Sequence, residues 1–156
     1  MTMQDIKTGT ISITGLADLE KRLLDFPDKV ARNILAGAIR AGAVVIQGEA
    51  RSIAPESAEA HYLGKKGRKS YTLIQPGELK RKGIKVRQAP RKSRTQPVEY
   101  WVYVSKRNWY WKFLEFGTSK MSARPFMRPG FEAKKTEAVE RIREYLSARI
   151  DKEAAK

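Results

Sequence analysis

The chain has 156 residues, 41% of them hydrophobic, so it is long enough to bury the core of one domain. It contains no cysteine, which excludes disulfides and thiolate metal sites, and its single histidine, His61, removes most histidine-based metal and triad chemistry. No apolar run approaches the roughly 20 residues of a membrane span, and residues 1–6 lack the layout of a secretory signal. We therefore expect an intracellular protein with no membrane contact.

Basic charge is concentrated in one part of the chain. The net charge is +15, from 32 lysines and arginines and 17 acidic residues. Between residues 61 and 96, twelve basic residues stand against one acid, Glu78, so this segment alone carries +11. Such a local excess favours a polyanionic neighbour, most simply nucleic acid.

The first predicted elements are a strand and a helix. Residues 10–14 alternate apolar and polar side chains, which predicts a short strand that Gly15 ends. From Leu16 to Leu24 the apolar residues recur at helical spacing, which predicts a short helix. Pro27 separates this helix from the next, because the residue before a proline is pushed out of the helical region.

A long helix is predicted from about residue 27 to residue 53. Gly48 lies on its apolar stripe, and Gly37 and Gly42 add further small residues, although a glycine inside a helix costs about 1 kcal/mol relative to alanine. Small residues at these positions indicate that another backbone approaches closely. That backbone belongs either to the same domain or to a neighbouring subunit, and the sequence leaves both possibilities open.

Residues 56–76 are polar, basic and glycine-containing, which predicts a mobile loop inserted into the domain. This loop is not a phosphate-binding P-loop, because it lacks that motif's spacing. Alternating side chains then predict strands at residues 84–88 and 98–105. Together they would form a hairpin with basic residues at its tip.

Residues 109–131 are the most aromatic stretch of the chain. The stretch is too apolar for a solvated loop, and Gly117, Pro125 and Pro129 interrupt it too often for one helix. We predict an extended segment to Phe116, a turn at Gly117 and a helix that starts near Pro129. The stretch would serve either as a core strand with its connector or as part of a subunit interface.

The C-terminal part is predicted to be an amphipathic helix over residues 131–150, followed by a tail at 151–156 that frays. No second domain or repeat is evident, so residues 1–156 are expected to form one domain. The predicted fold class is α+β, with a small, largely antiparallel sheet packed by the long N-terminal-half helix and the C-terminal helix.

The inventory of side chains argues against catalysis. His61 lies in the basic loop without an orienting acid nearby in sequence, so it does not support a catalytic triad. Burial of Glu115 beside Phe116 would raise its pKa, but a lone carboxylate does not make an acid–base pair. The acids are scattered, whereas a Mg²⁺ nuclease needs clustered ones. We therefore predict no catalytic residue, no bound metal and no cofactor, with a metal nuclease as the minor alternative.

The basic loops contain few aromatic residues, which favours contact with a phosphate backbone without sequence readout. Aromatic residues that would otherwise stack on bases lie instead in the most apolar strands. We expect them to be buried in the core or in an interface.

Several motifs occur in a recognisable order. They are Gly15-Leu16, Ala54-Pro55, the element from Gly77 to Ile84, Glu115-Phe-Gly-Thr118 and Ala123-Arg-Pro-Phe-Met-Arg-Pro129. In this order they resemble the tailed-phage head–tail joining family, the neck or tail-completion proteins of long-tailed phages. Two features depart from that pattern: the loop between Pro55 and Gly77 is longer, and Lys82 replaces a small serine.

The resemblance implies a virion structural protein without catalysis, located in the virion neck and assembled in the host cytoplasm. It implies a homo-oligomeric ring, with a hexamer favoured, between adjacent head-connector and tail-tube or terminator proteins. Double-stranded DNA would pass through the ring and meet it by its phosphate backbone. The sequence leaves open whether the basic segment instead contacts an acidic patch on a neighbouring neck protein. The alternative from another class is a non-specific nucleic-acid-binding module that forms no ring.

Two sets of candidate site residues follow from these expectations. The structural or subunit-interface set is Gly37, Gly42, Gly48, Trp109, Trp111, Glu115, Phe116, Gly117, Thr118, Pro125, Phe126 and Pro129. The DNA-channel set is Lys65, Lys66, Arg68, Lys69, Lys80, Arg81, Lys82, Arg91, Lys92 and Arg94.

Overall fold

Two long helices form the main body of the fold. Helix α1 spans Leu16–Leu24, α2 spans Asp28–Ile53, and α4, the last helix, spans Met127–Ala154. Helices α2 and α4 pack along each other for much of their length, and α1 lies against both. The bounds of α1 and α2 confirm the two helices predicted from the apolar spacing.

The computed structural model describes residues 16–63, 72–93 and 95–155 of the chain. The strand predicted at residues 10–14 lies outside these residues.

Apolar side chains cluster towards the two ends of the helix pair. One cluster is built from Leu19, Ile34, Ala38, Leu146 and Ile150. The other is built from Ala50, Ala54, Leu79, Ile84 and Phe126. Each large aliphatic or aromatic side chain buried in this way stabilises the fold by about 1.5–3 kcal/mol.

By length and composition, α2 is apolar enough to cross a membrane, contrary to the expectation from apolar runs. Core helices of soluble proteins pass the same test. In this chain Ile34 and Ala38 of α2 are buried in one cluster and Ala50 in the other. Part of the apolar surface of α2 is thus used within the domain, and 17% of its most apolar 18-residue window is buried.

The main sheet is an antiparallel hairpin of β3, Ile84–Gln88, and β4, Tyr100–Val104. Ile84 pairs with Val104 at one end of the ladder, and Gln88 pairs with Tyr100 at the other. The predicted strand at 84–88 is confirmed, and the one predicted at 98–105 is shorter than expected. With the helices packed against this sheet, the α+β fold class is confirmed.

A second hairpin lies within the segment predicted to be a loop. Strand β1, His61–Leu63, pairs antiparallel with β2, Thr72–Ile74. The side chain of Ile74 is only 2% exposed. Apolar residues at the borders of the basic segment are therefore ordered in strands, whereas residues 55–60, which precede β1, form no helix or strand. The mobile inserted loop over residues 56–76 stays a prediction.

The aromatic stretch contains a helix where an extended segment was predicted. Helix α3 spans Trp111–Phe116, ends at Gly117, and precedes α4, which starts at Met127. Three-residue spacing places Trp111 and Leu114 against the core and leaves Phe113 exposed. Tertiary packing on one side of a short helix thus overrides the strand preference of aromatic residues.

Helix α4 is also longer than predicted at both ends. It begins four residues before residue 131 and continues past Ile150 to Ala154. Asp151 is tied to α1 through an ion pair with Arg22. Residues 151–154 belong to α4, and the fraying expected over residues 151–156 stays a prediction.

Candidate functional site

The carboxylate of Glu115 holds the start of α4. Its Oε2 accepts hydrogen bonds from the backbone N–H groups of Phe126 and Met127, at 2.8 and 3.0 Å, and its Oε1 accepts one from Arg128 at 3.0 Å. The first N–H groups of a helix have no partner within the helix, and their partial positive charge favours an anion. Because Glu115 lies on α3, one side chain joins α3 to α4.

Burial of Glu115 alone would raise its pKa, as expected from its apolar neighbour. The residue is only 7% exposed. The three N–H donors and the charge of Arg128 outweigh that burial, and together they lower the pKa of Glu115 below its ordinary value. The expected rise is therefore wrong, and the ionised carboxylate serves as a helix cap.

Gly117 ends α3 in a backbone conformation that other residues disfavour. Its φ is +74°, and its N–H donates to the carbonyl oxygen of Phe113 at 2.9 Å. A Cβ atom at this position would lie 2.9 Å from the backbone nitrogen of Ala123 and 2.9 Å from the backbone oxygen of Met121. The turn predicted here is present, and it needs a glycine because backbone atoms crowd it. The next residue, Thr118, pairs with Met121 in an isolated β-bridge.

Phe126 anchors the first turn of α4, where its side chain is fully buried. Pro129 lies in the same turn, where a missing N–H costs no helical hydrogen bond, and both Pro129 and Pro125 are exposed. Gly130 was not among the predicted residues, yet a Cβ there would lie 3.0 Å from the backbone nitrogen of Ala50. A glycine one turn after Phe126 is the feature of the sequence that could have predicted this close contact between α4 and α2.

Three aromatic side chains are exposed on α3 and just before it. Trp109 is 39% exposed, Phe113 45% and Phe116 68%, and we call these three residues the aromatic ridge. The rings of Trp109 and Phe113 meet edge to face, with centroids 5.7 Å apart. Trp111 packs instead against the buried cluster around Phe126. Phe113 was missed because an extended segment would not have placed it beside Trp109.

Two of the three predicted glycines face α4 of the same chain. A Cβ on Gly37 would lie 2.8 Å from the Tyr145 ring, and one on Gly42 would lie 2.8 Å from the carbonyl oxygen of Ala138. The close approach of another chain segment, predicted at these two glycines, is therefore explained by the packing of α4 against α2 within the domain. Gly48 is exposed and has no atom within 4 Å of such a Cβ.

The predicted basic residues differ in their surroundings. Lys65, Lys66, Arg68, Lys69 and Arg94 lie outside the described residues. Lys80 forms an ion pair with Glu56 at 3.5 Å, and the guanidinium of Arg81 donates to the carbonyl oxygen of Pro76 at 2.8 Å. Lys82, Arg91 and Lys92 are exposed.

A groove of about 590 Å³ brings four basic residues together. They are Arg81 and Lys82 from the π-helical turn Leu79–Gly83, Lys85 from β3, and Arg107. Lys85 and Arg107 were not in the predicted set. Because Lys85 is exposed and is the second residue after the turn, the groove continues the basic surface onto the outward face of the hairpin.

One acid, Glu78, lies in this groove and is 8% exposed. Its Oε1 accepts a hydrogen bond from Nε of Arg107 at 2.6 Å, and its Oε2 accepts one from the N–H of Gln75 at 3.2 Å. Burial raises the pKa of Glu78, but these donors and the charges of Arg107 and Lys82 outweigh burial and lower it. The ionised Glu78 is therefore paired, and the groove keeps a positive excess.

The outward face of the β3–β4 hairpin carries an arginine stacked on two aromatic rings. The guanidinium carbon of Arg87 lies 4.7 Å from the ring centre of Tyr103 and 5.4 Å from that of Trp101. Both distances are within the range of cation–π attraction. These rings are half-buried rather than in the core, and they already hold a basic side chain of their own chain.

Within residues 16–63, 72–93 and 95–155, no three histidine or acidic side chains converge on a point that could hold a metal ion. The two buried carboxylates, Glu78 and Glu115, are each engaged by hydrogen-bond donors of the chain. The chemistry that this arrangement supports is the capping of helices and the presentation of positive charge.

Fold and site together define an α+β structural domain with a basic face and an exposed aromatic ridge. A family model described as "Bacteriophage HK97-gp10, putative tail-component" matches residues 17–117, about two-thirds of the chain. The chain belongs to this family, whose role is that of a structural component of a phage. The match includes Glu115 and Gly117 and ends before α4. Neither the curated proteins nor the solved structures gave a match.

Proposed function

We propose that this chain is a structural protein of the phage head–tail connector. In the proposal it forms a ring, with a hexamer favoured, between the head connector and the tail tube or terminator. The ring lies in the virion neck, is assembled in the host cytoplasm and surrounds the DNA channel. The observation that carries the proposal is membership of a phage tail-component family together with a basic face on an otherwise nearly neutral domain.

Support for DNA contact comes from the placement of the basic residues. Lys82, Lys85, Arg91 and Lys92 lie on turns or at the hairpin and are exposed, where long side chains keep their charge in water. Contacts of this kind neutralise phosphates without reading bases, and they weaken steeply with salt. A DNA duplex held in this way slides through a channel, because no base edge is gripped.

Support for a ring comes from two different exposed apolar surfaces. One is the aromatic ridge of Trp109, Phe113 and Phe116. The other lies on α2, where Val44 is 46% exposed one turn before the open surface at Gly48. A closed ring uses two unlike patches on each subunit, and this pair provides them.

Charge reversal tests the role of the basic segment. The test variant changes Lys65, Lys66, Arg68 and Lys69 to glutamate. We expect rings and head–tail joints to form as in the parent, by light scattering and electron microscopy, while DNA retention or ejection fails. A second variant, Lys82→Glu with Lys85→Glu, tests the groove in the same assays.

A matched control reverses four exposed basic residues outside this segment, Lys29, Arg143, Arg149 and Lys152. Its change in net charge equals that of the test variant, so DNA handling should stay normal. Failed joining with normal DNA handling in the test variant would assign the segment to an acidic protein partner. Salt-sensitive DNA binding by a protein that stays monomeric would instead favour a nucleic-acid-binding module without a ring.

A further inference from the structure

The groove that holds the four basic residues is built around a turn at Gly77. The φ of Gly77 is +66°, a backbone conformation that glycine adopts without steric cost. Both neighbours of this glycine bind an arginine of the groove. The carbonyl oxygen of Pro76 accepts a hydrogen bond from Arg81, and the carboxylate of Glu78 accepts one from Arg107. The turn thus gives each arginine a defined hydrogen-bond partner.

Arg107 is engaged along one edge of its guanidinium, while its side chain is 62% exposed. Its Nε donates to Oε1 of Glu78 at 2.6 Å, and its Nη2 lies 3.5 Å from the carbonyl oxygen of Leu73, at the limit of a hydrogen bond. A guanidinium has five N–H donors. The described residues engage only these two, so the remaining donors are available to a ligand.

Glu78 is suited to orient Arg107 because it is itself fixed. Its side chain is only 9% exposed, and its Oε2 accepts a hydrogen bond from the backbone N–H of Gln75 at 3.2 Å. A free surface arginine samples many rotamers and loses that freedom when it binds a ligand. An arginine that is already oriented loses less, so it contributes more to affinity.

The charge of the groove favours a run of phosphates as its ligand. Four cations against one acid leave an excess of three positive charges. A single carboxylate neutralises one of them, whereas duplex DNA carries one negative charge per about 1.7 Å of its axis. The planar fork of an arginine also binds two phosphate oxygens through parallel hydrogen bonds.

We propose that Arg81 and Arg107 bind phosphates of the DNA backbone as pre-oriented ligands, and that Glu78 is the residue that positions Arg107. Lys82 and Lys85, which are exposed in the same groove, add charge. This inference rests on the proposed contact with DNA and extends it, because it assigns a role in binding to an acid. By charge alone, Glu78 would weaken the binding of a polyanion.

Equilibrium binding of the full chain to a short fluorescent DNA duplex, measured over a series of salt concentrations, tests the role of Arg107. Arg107→Gln removes one phosphate contact, so the slope of log affinity against log salt should become shallower by about 0.9. Arg107→Lys keeps the charge and loses the fork, so the slope should stay while the affinity falls by about threefold or more. The matched control is Arg143→Gln on α4, which removes an exposed arginine outside the groove and should keep the parent's slope. Equal slopes for Arg107→Gln and the parent would overturn the role of Arg107.

The variant Glu78→Gln tests the positioning role by the sign of its effect. It replaces the charge-assisted bond to Arg107 with a weaker neutral one, so we expect the affinity for DNA to fall by about threefold although the net charge rises by one. In an Arg107→Gln background the same change should cause no loss, because the coupling needs both partners. Tighter binding by Glu78→Gln, or an equal loss in both backgrounds, would overturn the positioning role.

The same assay distinguishes a failure of this inference from a failure of the proposed function. A parent chain that does not bind duplex DNA would overturn both, whereas a parent that binds DNA with no change in Arg107→Gln would overturn this inference alone. Competition with polyglutamate tests the class of ligand. Polyglutamate that displaces the duplex as well as unlabelled DNA does, at equal charge, would overturn phosphate in favour of an acidic protein surface, and weaker displacement supports phosphate.

Discussion

Replacing Glu115 by alanine removes the cap that joins α3 to α4. The N–H of Phe126 is buried, and leaving it unpaired costs about 1–3 kcal/mol. The N–H groups of Met127 and Arg128 are only partly buried, and loss of a helix cap of this kind costs about 0.5–2 kcal/mol. We expect Glu115→Ala to lower the free energy of unfolding by about 2–4 kcal/mol.

For a chain of this length the loss corresponds to a fall in Tm of roughly 4–16 °C, measured by calorimetry or circular dichroism. The matched control is Glu132→Ala, which removes an exposed glutamate of α4 that pairs with Lys135 at 2.6 Å. Exposed pairs contribute about 0–1 kcal/mol, so this control should melt close to the parent. Equal Tm values for the two variants would refute the capping role of Glu115.

Four further outcomes follow from the same contacts. The pKa of Glu115 is lowered in the folded state, so its carboxylate stabilises the fold fully at pH values above the ordinary pKa of 4.5, and this stabilisation is lost as the pH falls through the folded-state pKa. The Tm difference between the parent and Glu115→Ala should therefore narrow on acid titration. A difference that stays constant would contradict this. Gly117→Val should cost at least about 1–3 kcal/mol in denaturant unfolding, because its φ is positive and backbone atoms crowd the position, and parent-like unfolding would show that the turn adapts. Phe126→Ala should cost about 3–5 kcal/mol, while the exposed Phe116→Ala leaves stability nearly unchanged; similar losses in both would contradict the assignment of Phe126 to the core. Gly48→Ala should raise the stability of the isolated subunit by up to about 1 kcal/mol, since a Cβ meets open space there. Higher stability with failed assembly would place a neighbouring subunit at Gly48. Normal assembly would exclude a close contact between Gly48 and the backbone of a neighbouring subunit.

The elements with a strong local period were predictable from the sequence. Helices α1 and α2 and strand β3 have apolar residues at the spacing of their structures, and their observed bounds match the predictions. The conformation at Gly117 was also predictable, because a glycine after an apolar run commonly ends a helix or forms a turn.

The role of Glu115 was not predictable, because its partners are backbone groups that lie 11–13 residues later in the chain. Backbone N–H groups are present at almost every residue, so no sequence pattern identifies the ones that a carboxylate will reach. The helical conformation of Trp111–Phe116 was missed for a related reason. It is stabilised by contacts with the buried cluster around Phe126, and these depend on the position of α4.

Positive charge and structural support are separated in this molecule. Lys82, Arg91 and Lys92 are exposed, whereas the fold is held by other side chains, among them Leu79 and Ile84 of the same segment. Concentrated charge of one sign repels itself and destabilises the compact state, so the +11 between residues 61 and 96 does not serve folding. Only Lys80 of this segment forms an ion pair among the described residues, with Glu56, while Glu78 pairs with Arg107 outside the segment. A feature that disfavours the isolated fold is advantageous if something outside the chain compensates it, and under the proposed function DNA would do so by contact with the exposed side chains. Reversing those side chains should therefore alter binding to that polyanion and leave the fold intact.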